Sequence, residues 1–97
     1  MEIDKQIFKT SQDRADFIHY EGSTACVVLI TPDMIYCANA GDSRAVLTKG
    51  SSEIVQLSQD HKPENMMEKE RIGNSGHFVE SDRVDGYLTV SRAFGDF

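Results

Sequence analysis

The sequence predicts an α+β fold in which a strand meander carries one lightly packed helix. Three observations predict it. Ala25-Cys26-Val27-Val28-Leu29-Ile30 is an unbroken apolar run, and Met34-Ile35-Tyr36-Cys37-Ala38 follows it after Thr31-Pro32-Asp33. That pattern reads as two strands around a turn in which proline presets its own φ. The period then changes at Asn65-Met66-Met67-Glu68, where an N-cap candidate stands three residues before a glutamate. Finally, Asp85-Gly86 separates short extended segments, a hairpin signal.

Each segment follows in order. Residues 1–21 are mixed, with Phe8, Phe17, Ile18 and Tyr20 as apolar anchors, and read as a short helix or an irregular arm. Residues 22–58 read as the meander: the two runs above, then Arg44 to Thr48, a turn at Lys49-Gly50-Ser51-Ser52, and an extension through Ile54, Val55 and Leu57. The full apolarity of 25–30 predicts burial on both faces, as in the central strand of a layered sheet. Residues 59–86 hold the helix, whose stripe of Met66, Met67 and Ile72 is thin and whose exit is marked by Ser75-Gly76. A short strand at Phe78 and Val79 and a polar connection through Ser81, Asp82 and Arg83 come next. Residues 87–97 read as a returning strand, Tyr87 to Val90, and an apolar end without a polar tail.

Composition narrows the function. The 97 residues carry 10 Lys plus Arg against 16 Asp plus Glu, a formal charge of -6. One small domain is the most such a chain builds. The acidic balance, without a basic patch, argues against nucleic acid as a partner. No apolar run reaches the roughly 18 residues of a helical membrane span, so no membrane partner is expected. The start at Met1 to Gln12 has neither an export nor a transit pattern, which makes the cytoplasm or nucleus the expected location. The two cysteines, Cys26 and Cys37, lack CxxC spacing and read as core thiols; pairing of their strands would bring a disulfide within reach, which a reducing compartment disfavours.

Chemistry-bearing residues concentrate in four places. Asp42, after Gly41 at a bend between strands, either offers oxygen to a hard cation such as magnesium or manganese or bonds its own turn. Asp60 and His61 read as an acid/base or metal pair or as a loop-structuring pair. Arg44 and Arg92 can fork onto phosphate or onto a local carboxylate. Ser91 lacks a triad base.

Five blocks carry a resemblance: Gly22-Ser23-Thr24-Ala25; Ala38-Asn39-Ala40-Gly41-Asp42-Ser43-Arg44-Ala45-Val46-Leu47; Asp60-His61-Lys62-Pro63; Glu68-Lys69-Glu70-Arg71-Ile72; and Arg83-Val84-Asp85-Gly86-Tyr87-Leu88-Thr89-Val90-Ser91-Arg92-Ala93-Phe94-Gly95-Asp96. In order and spacing they resemble the middle of the type 2C metal-dependent protein serine/threonine phosphatases, from about Gly22 to Phe97. The resemblance implies part of a two-sheet antiparallel β-sandwich with flanking helices, incomplete relative to the full domain. It implies that Asp42 helps hold a third, weaker Mn2+ or Mg2+ ion, with Thr24, Gly41 and Ser43 supporting that place. It implies a flap from about His61 to Asp85, with His61, Lys62 and Arg71 as flap or substrate contacts. Arg44, Ser91, Arg92, Gly95 and Asp96 carry the structural motif.

Other family blocks have no counterpart: the early Asp-Gly-His-Gly, the phosphate-binding arginine before it, and the late aspartates. The core metal pair is therefore not expected from these residues. The chain reads as a central fragment of a phosphatase that hydrolyses phosphoserine and phosphothreonine proteins through metal-activated water. Alone it is expected to be inactive and to bind metal weakly or not at all. The alternative is a noncatalytic phosphatase-like interaction module. Unpaired sheet edges suggest a homo-oligomer in either case. Ser75-Gly76 replaces the family's usual Gly-Gly, Asp85 its Asn and Phe94 its Leu.

Overall fold

A computed structural model describes residues 2–12 and 21–97, and the described residues form an α+β arrangement of two helices and four small antiparallel sheets. Helix α1 spans Glu2–Gln12, with Glu2 and Asp4 in its first turn and Lys9 in its last, charges placed to suit the helix dipole. Of the helix or irregular arm expected over residues 1–21, a helix is seen at Glu2–Gln12; Phe17, Ile18 and Tyr20 lie outside the described residues. Phe8 sets its ring edge-on against Phe97, with centroids 5.1 Å apart. The Gly95 amide donates to Asp4 Oδ1 at 3.2 Å. These two contacts seat α1 on the far end of the chain.

Strand β1, Gly22–Ser23, pairs with β8, Phe94–Gly95, in the register Gly22 to Gly95 and Ser23 to Phe94. Strands β2, Ala25–Ile30, and β3, Ile35–Ala40, form a six-pair ladder from Ala25 opposite Ala40 to Ile30 opposite Ile35. Its loop closes where the Thr31 amide donates to the Met34 carbonyl at 2.9 Å. Strands β4, Val46–Lys49, and β5, Glu53–Gln56, pair around Gly50, whose φ of +64° suits glycine.

Two expectations are corrected here. The meander is not one sheet: β3 does not pair with β4, because the chain bends at residues 41–45 between the two hairpins. The apolar run of β2 is not buried on both faces, with Val27 61% and Ile30 72% exposed. A strand's faces are covered by what packs above and below its sheet, and the main contacts of β2 are with its own hairpin partner β3.

Helix α2 spans Met66–Asn74. Asn65 occupies the N-cap position, but the capping box does not form: Asn65 Nδ2 donates to the Asp60 carbonyl at 2.8 Å, and Glu68 bonds arginines instead. The C-terminus closes as a Schellman motif. Gly76, at φ +89°, donates to the Gly73 carbonyl, and the His77 amide reaches the Ile72 carbonyl, both at 3.1 Å. The apolar stripe is thinner still than expected, since Met66 is 84% exposed, Met67 is also exposed, and Ile72 alone of the three is buried.

Strands β6, Val79–Glu80, and β7, Arg83–Val84, form a hairpin around Ser81 and Asp82, at φ 50° and 59°. Two consecutive left-handed residues are the type I′ pattern that matches strand twist. The expected polar connection is thus itself a hairpin turn. Asp85-Gly86 makes a second one, closed by a bridge between Val84 and Leu88. The returning strand comes later than expected, at β8, while residues 89–93 run irregularly. Buried apolar side chains among the described residues are few: Ile72, Val90 and the fully enclosed Pro63.

Candidate functional site

The bend at residues 41–43 is held by Thr24, Asn39 and His61. Gly41 is buried and sits at φ +109°, where a Cβ would lie 2.3 Å from Thr24 Cγ2. Glycine is required there by both conformation and space. Thr24 hydrogen-bonds Ser43 through their hydroxyls at 2.7 Å. The Gly41 amide donates to His61 Nδ1 at 3.1 Å, and the Gly41 carbonyl accepts from the His61 amide at 2.9 Å. Asn39 Nδ2 donates to the carbonyls of both Gly41 and Gln59 at 3.0 Å.

These bonds extend the β4 and β5 pairing backward. The Leu57 amide reaches the Ala45 carbonyl at 2.9 Å, and Ser58 Oγ accepts from the Ala45 amide at 2.8 Å. Asp42 is thereby presented on the outside of a fastened bend, with an exposed side chain. No bond from Asp42 to its own turn competes for the carboxylate.

Of the two readings of Asp60 and His61, the structure shows loop-structuring contacts, and the two side chains do not converge on one point. His61 faces Gly41, whereas Asp60 takes a two-pronged contact from Arg44, Nε to Oδ1 at 2.9 Å and Nη2 to Oδ2 at 2.6 Å. The Arg44 hydrogen bonds hold the Asp60 carboxyl below the usual range against the opposing effect of burial, with Lys62 and His61 adding to the lowering. Arg92 likewise forks onto Glu68, Nε to Oε2 at 3.0 Å and Nη2 to Oε1 at 2.8 Å. Both arginines therefore hold local carboxylates, not an open phosphate subsite.

Glu68 is the residue that sequence reasoning missed. Its side chain is buried, and it also receives Arg71 Nη2 at 2.9 Å. The Arg92 bonds foremost, with those of Arg71, hold its carboxyl far below the ordinary range despite burial. A glutamate three residues before one arginine was visible, but the partner at Arg92 lies 24 positions away. Arg71 also donates to the Ser91 carbonyl at 2.6 Å, and the Ser91 amide donates to the His61 carbonyl at 3.0 Å. One chain of contacts thus runs from Thr24 through Gly41, His61, Ser91 and Arg71 to Glu68 and Arg92. Gly95 lies in β8, which pairs with β1 just before Thr24, and Asp96 follows it. The Asp96 amide donates to the Glu21 carbonyl at 3.0 Å, and its carboxylate fills the space beside Gly22.

Among the described residues no group of three or more His, Cys, Asp or Glu side chains is placed to hold a metal ion. The family described as Protein phosphatase 2C matches residues 1–97, which include the fastened bend and the arginine-glutamate cluster. The chain belongs to the protein phosphatase 2C family. The match includes α1, which the resemblance from Gly22 onward had left out.

Protein phosphatase 2C homolog 3 of Schizosaccharomyces pombe is 50% identical over 98 residues, which cover 100% of this chain and 22% of that protein. Human protein phosphatase 1A is 44% identical over 97 residues, 100% of this chain and 25% of its own length. Among solved structures, a phosphatase from a pathogenic strain of Toxoplasma gondii superposes with a TM-score of 0.59 and 46% identity over 64% of this chain and 20% of that one. The chain therefore spans about a fifth to a quarter of the length of these relatives.

Proposed function

We propose that this chain is the central part of a phosphatase that hydrolyses phosphoserine and phosphothreonine in protein substrates with water activated by Mn2+ or Mg2+, and that the 97 residues alone are inactive. The observation that carries this reading is the Gly41-Asp42-Ser43 bend, held from Thr24 and His61 so that a single carboxylate stands outward. Asp42 is read as one ligand of a weakly held ion. By themselves the residues present do not fit a dinuclear centre, since no three metal-binding side chains converge among those described, and no hydrolytic step can be built from them. The remaining ligands belong, on this reading, to a longer protein.

The same reading makes residues 59–86 a flap and places the small sheets within a two-sheet sandwich. His61 and Arg71 then act by positioning, through Gly41 and Ser91, and Lys62 remains the substrate-contact candidate. A cytoplasmic or nuclear setting is part of the proposal. A second reading, a noncatalytic interaction module or self-associating chain, is favoured by the exposed apolar side chains of β2.

The test is hydrolysis of a phosphothreonine peptide by the pure chain with added manganese. No turnover is expected. Manganese-dependent turnover that disappears in Asp42→Asn would overturn the claim of inactivity.

A further inference from the structure

The two cysteines lie on different strands of one hairpin and on one face of it. Cys26 stands opposite Asn39 and Val28 opposite Cys37, so these four side chains form a single patch. Cys26 and Cys37 are therefore diagonal neighbours across an antiparallel ladder. Both are free and half-buried, open enough to admit a small oxidant. They are also the chain's only cysteines, so each has a single intrachain partner. The Cys37 thiol is pushed upward, by burial foremost and then by the neighbouring Cys26 thiol.

We propose that Cys26 and Cys37 form a peroxide-sensitive dithiol that closes to a disulfide across the β2–β3 hairpin. One thiolate attacks hydrogen peroxide and breaks its O–O bond, giving a sulfenic acid and, after protonation, one water. The other sulfur then attacks the sulfenic sulfur and expels the second water. Two thiols and one peroxide become one disulfide and two waters, the sulfurs losing the two electrons that the peroxide gains. Reaction speeds up with rising pH, because the thiolate is the nucleophile and Cys37 is held in its thiol form.

Diagonal positions are about 7–8 Å apart between Cα atoms, whereas a relaxed disulfide spans at most about 6.8 Å. Closure must draw the strands together, which makes the bond readily reducible, as befits a reversible modification. The movement reaches the candidate site directly. Asn39, opposite Cys26, holds the Gly41 and Gln59 carbonyls, so displacing it disturbs the bend that carries Asp42.

The test exposes the full chain to equimolar hydrogen peroxide, alkylates it with N-ethylmaleimide and cuts it before aspartates. Asp33 lies between the two cysteines, so cleavage separates them. The expected result is a single-chain band on a non-reducing denaturing gel, with Cys26 and Cys37 fragments that stay joined until dithiothreitol is added, and a Gly41 amide resonance that shifts on oxidation and returns on reduction. Full alkylation of both cysteines, over-oxidation to sulfinic acids, or disulfides only between chains would overturn the proposal. An unmoved Gly41 resonance would overturn its link to the bend. Cys26→Ser and Cys37→Ser should each leave the remaining cysteine as a sulfenic acid that dimedone traps, and a joined fragment in either variant would also refute the pairing.

Discussion

Gly41 concentrates two constraints at one position, a left-handed φ and a threonine methyl within reach of any added Cβ. Gly41→Ala is expected to destabilise the chain by about 2 kcal/mol or more, read as a lower urea midpoint. Thr24→Ser in the same chain removes the nearest clashing methyl and keeps the hydroxyl, so it should restore part of that loss; no restoration would show that φ and the remaining Thr24 Cβ govern. Glu68 offers a pH test. Its carboxyl is lowered in the folded chain, so its stabilisation is complete above the unfolded value of about 4.3 and is lost as pH falls below it toward the folded value. The stability gap between the native chain and Glu68→Gln should therefore be constant near neutrality and shrink in acid. A gap that widens on acidification would contradict the Arg71 and Arg92 contacts. At this scale Thr24, Asp42, Ser43 and His61 were legible as blocks of sequence. Glu68 stood in one of those blocks too, but its pairing with Arg92 was not legible, because that partner meets it only after the chain returns 24 residues later.

Among the elements, the β6–β7 hairpin turns on Ser81 and Asp82, two side-chain-bearing residues at positive φ. Asp82→Gly relieves the second at no cost to the ladder and should raise stability by about 0.5 kcal/mol, measurable as a small rise in thermal midpoint; a fall would mean that the Asp82 carboxylate holds the turn. This hairpin was hidden because Ser-Asp is a weaker turn signal than Asp-Gly, which was found four residues later. Helix α2 was legible at both ends, through Asn65 and Gly76. The use of its cap was not, since the Asn65 side chain prefers the Asp60 carbonyl.

The whole molecule is open. Its accessible surface is 7545 Å², against about 5600 Å² for a compact chain of this mass. Its radius of gyration is 16.3 Å, where about 12.5 Å is usual for this length. Periodicity identifies the apolar run of β2 as a strand but carries no information on what packs against its faces, which is why burial does not follow from it. With Val27, Leu29 and Ile30 exposed, the chain should bind a hydrophobic dye and scatter light as a species larger than 10.9 kDa. Replacing Val27 and Leu29 by threonine should return a monomer; an unchanged size would place self-association elsewhere. The bonds at His61 have a kinetic meaning as well. They tie Gly41 to His61 and His61 to Ser91, closing loops far longer than those of the hairpins. Loop closure costs entropy before it is rewarded, so the hairpins can form in microseconds while the bend around Asp42 waits for distant segments to arrive. The candidate site is thus among the last parts of the chain to take shape, and the first to be lost when those long-range ties loosen.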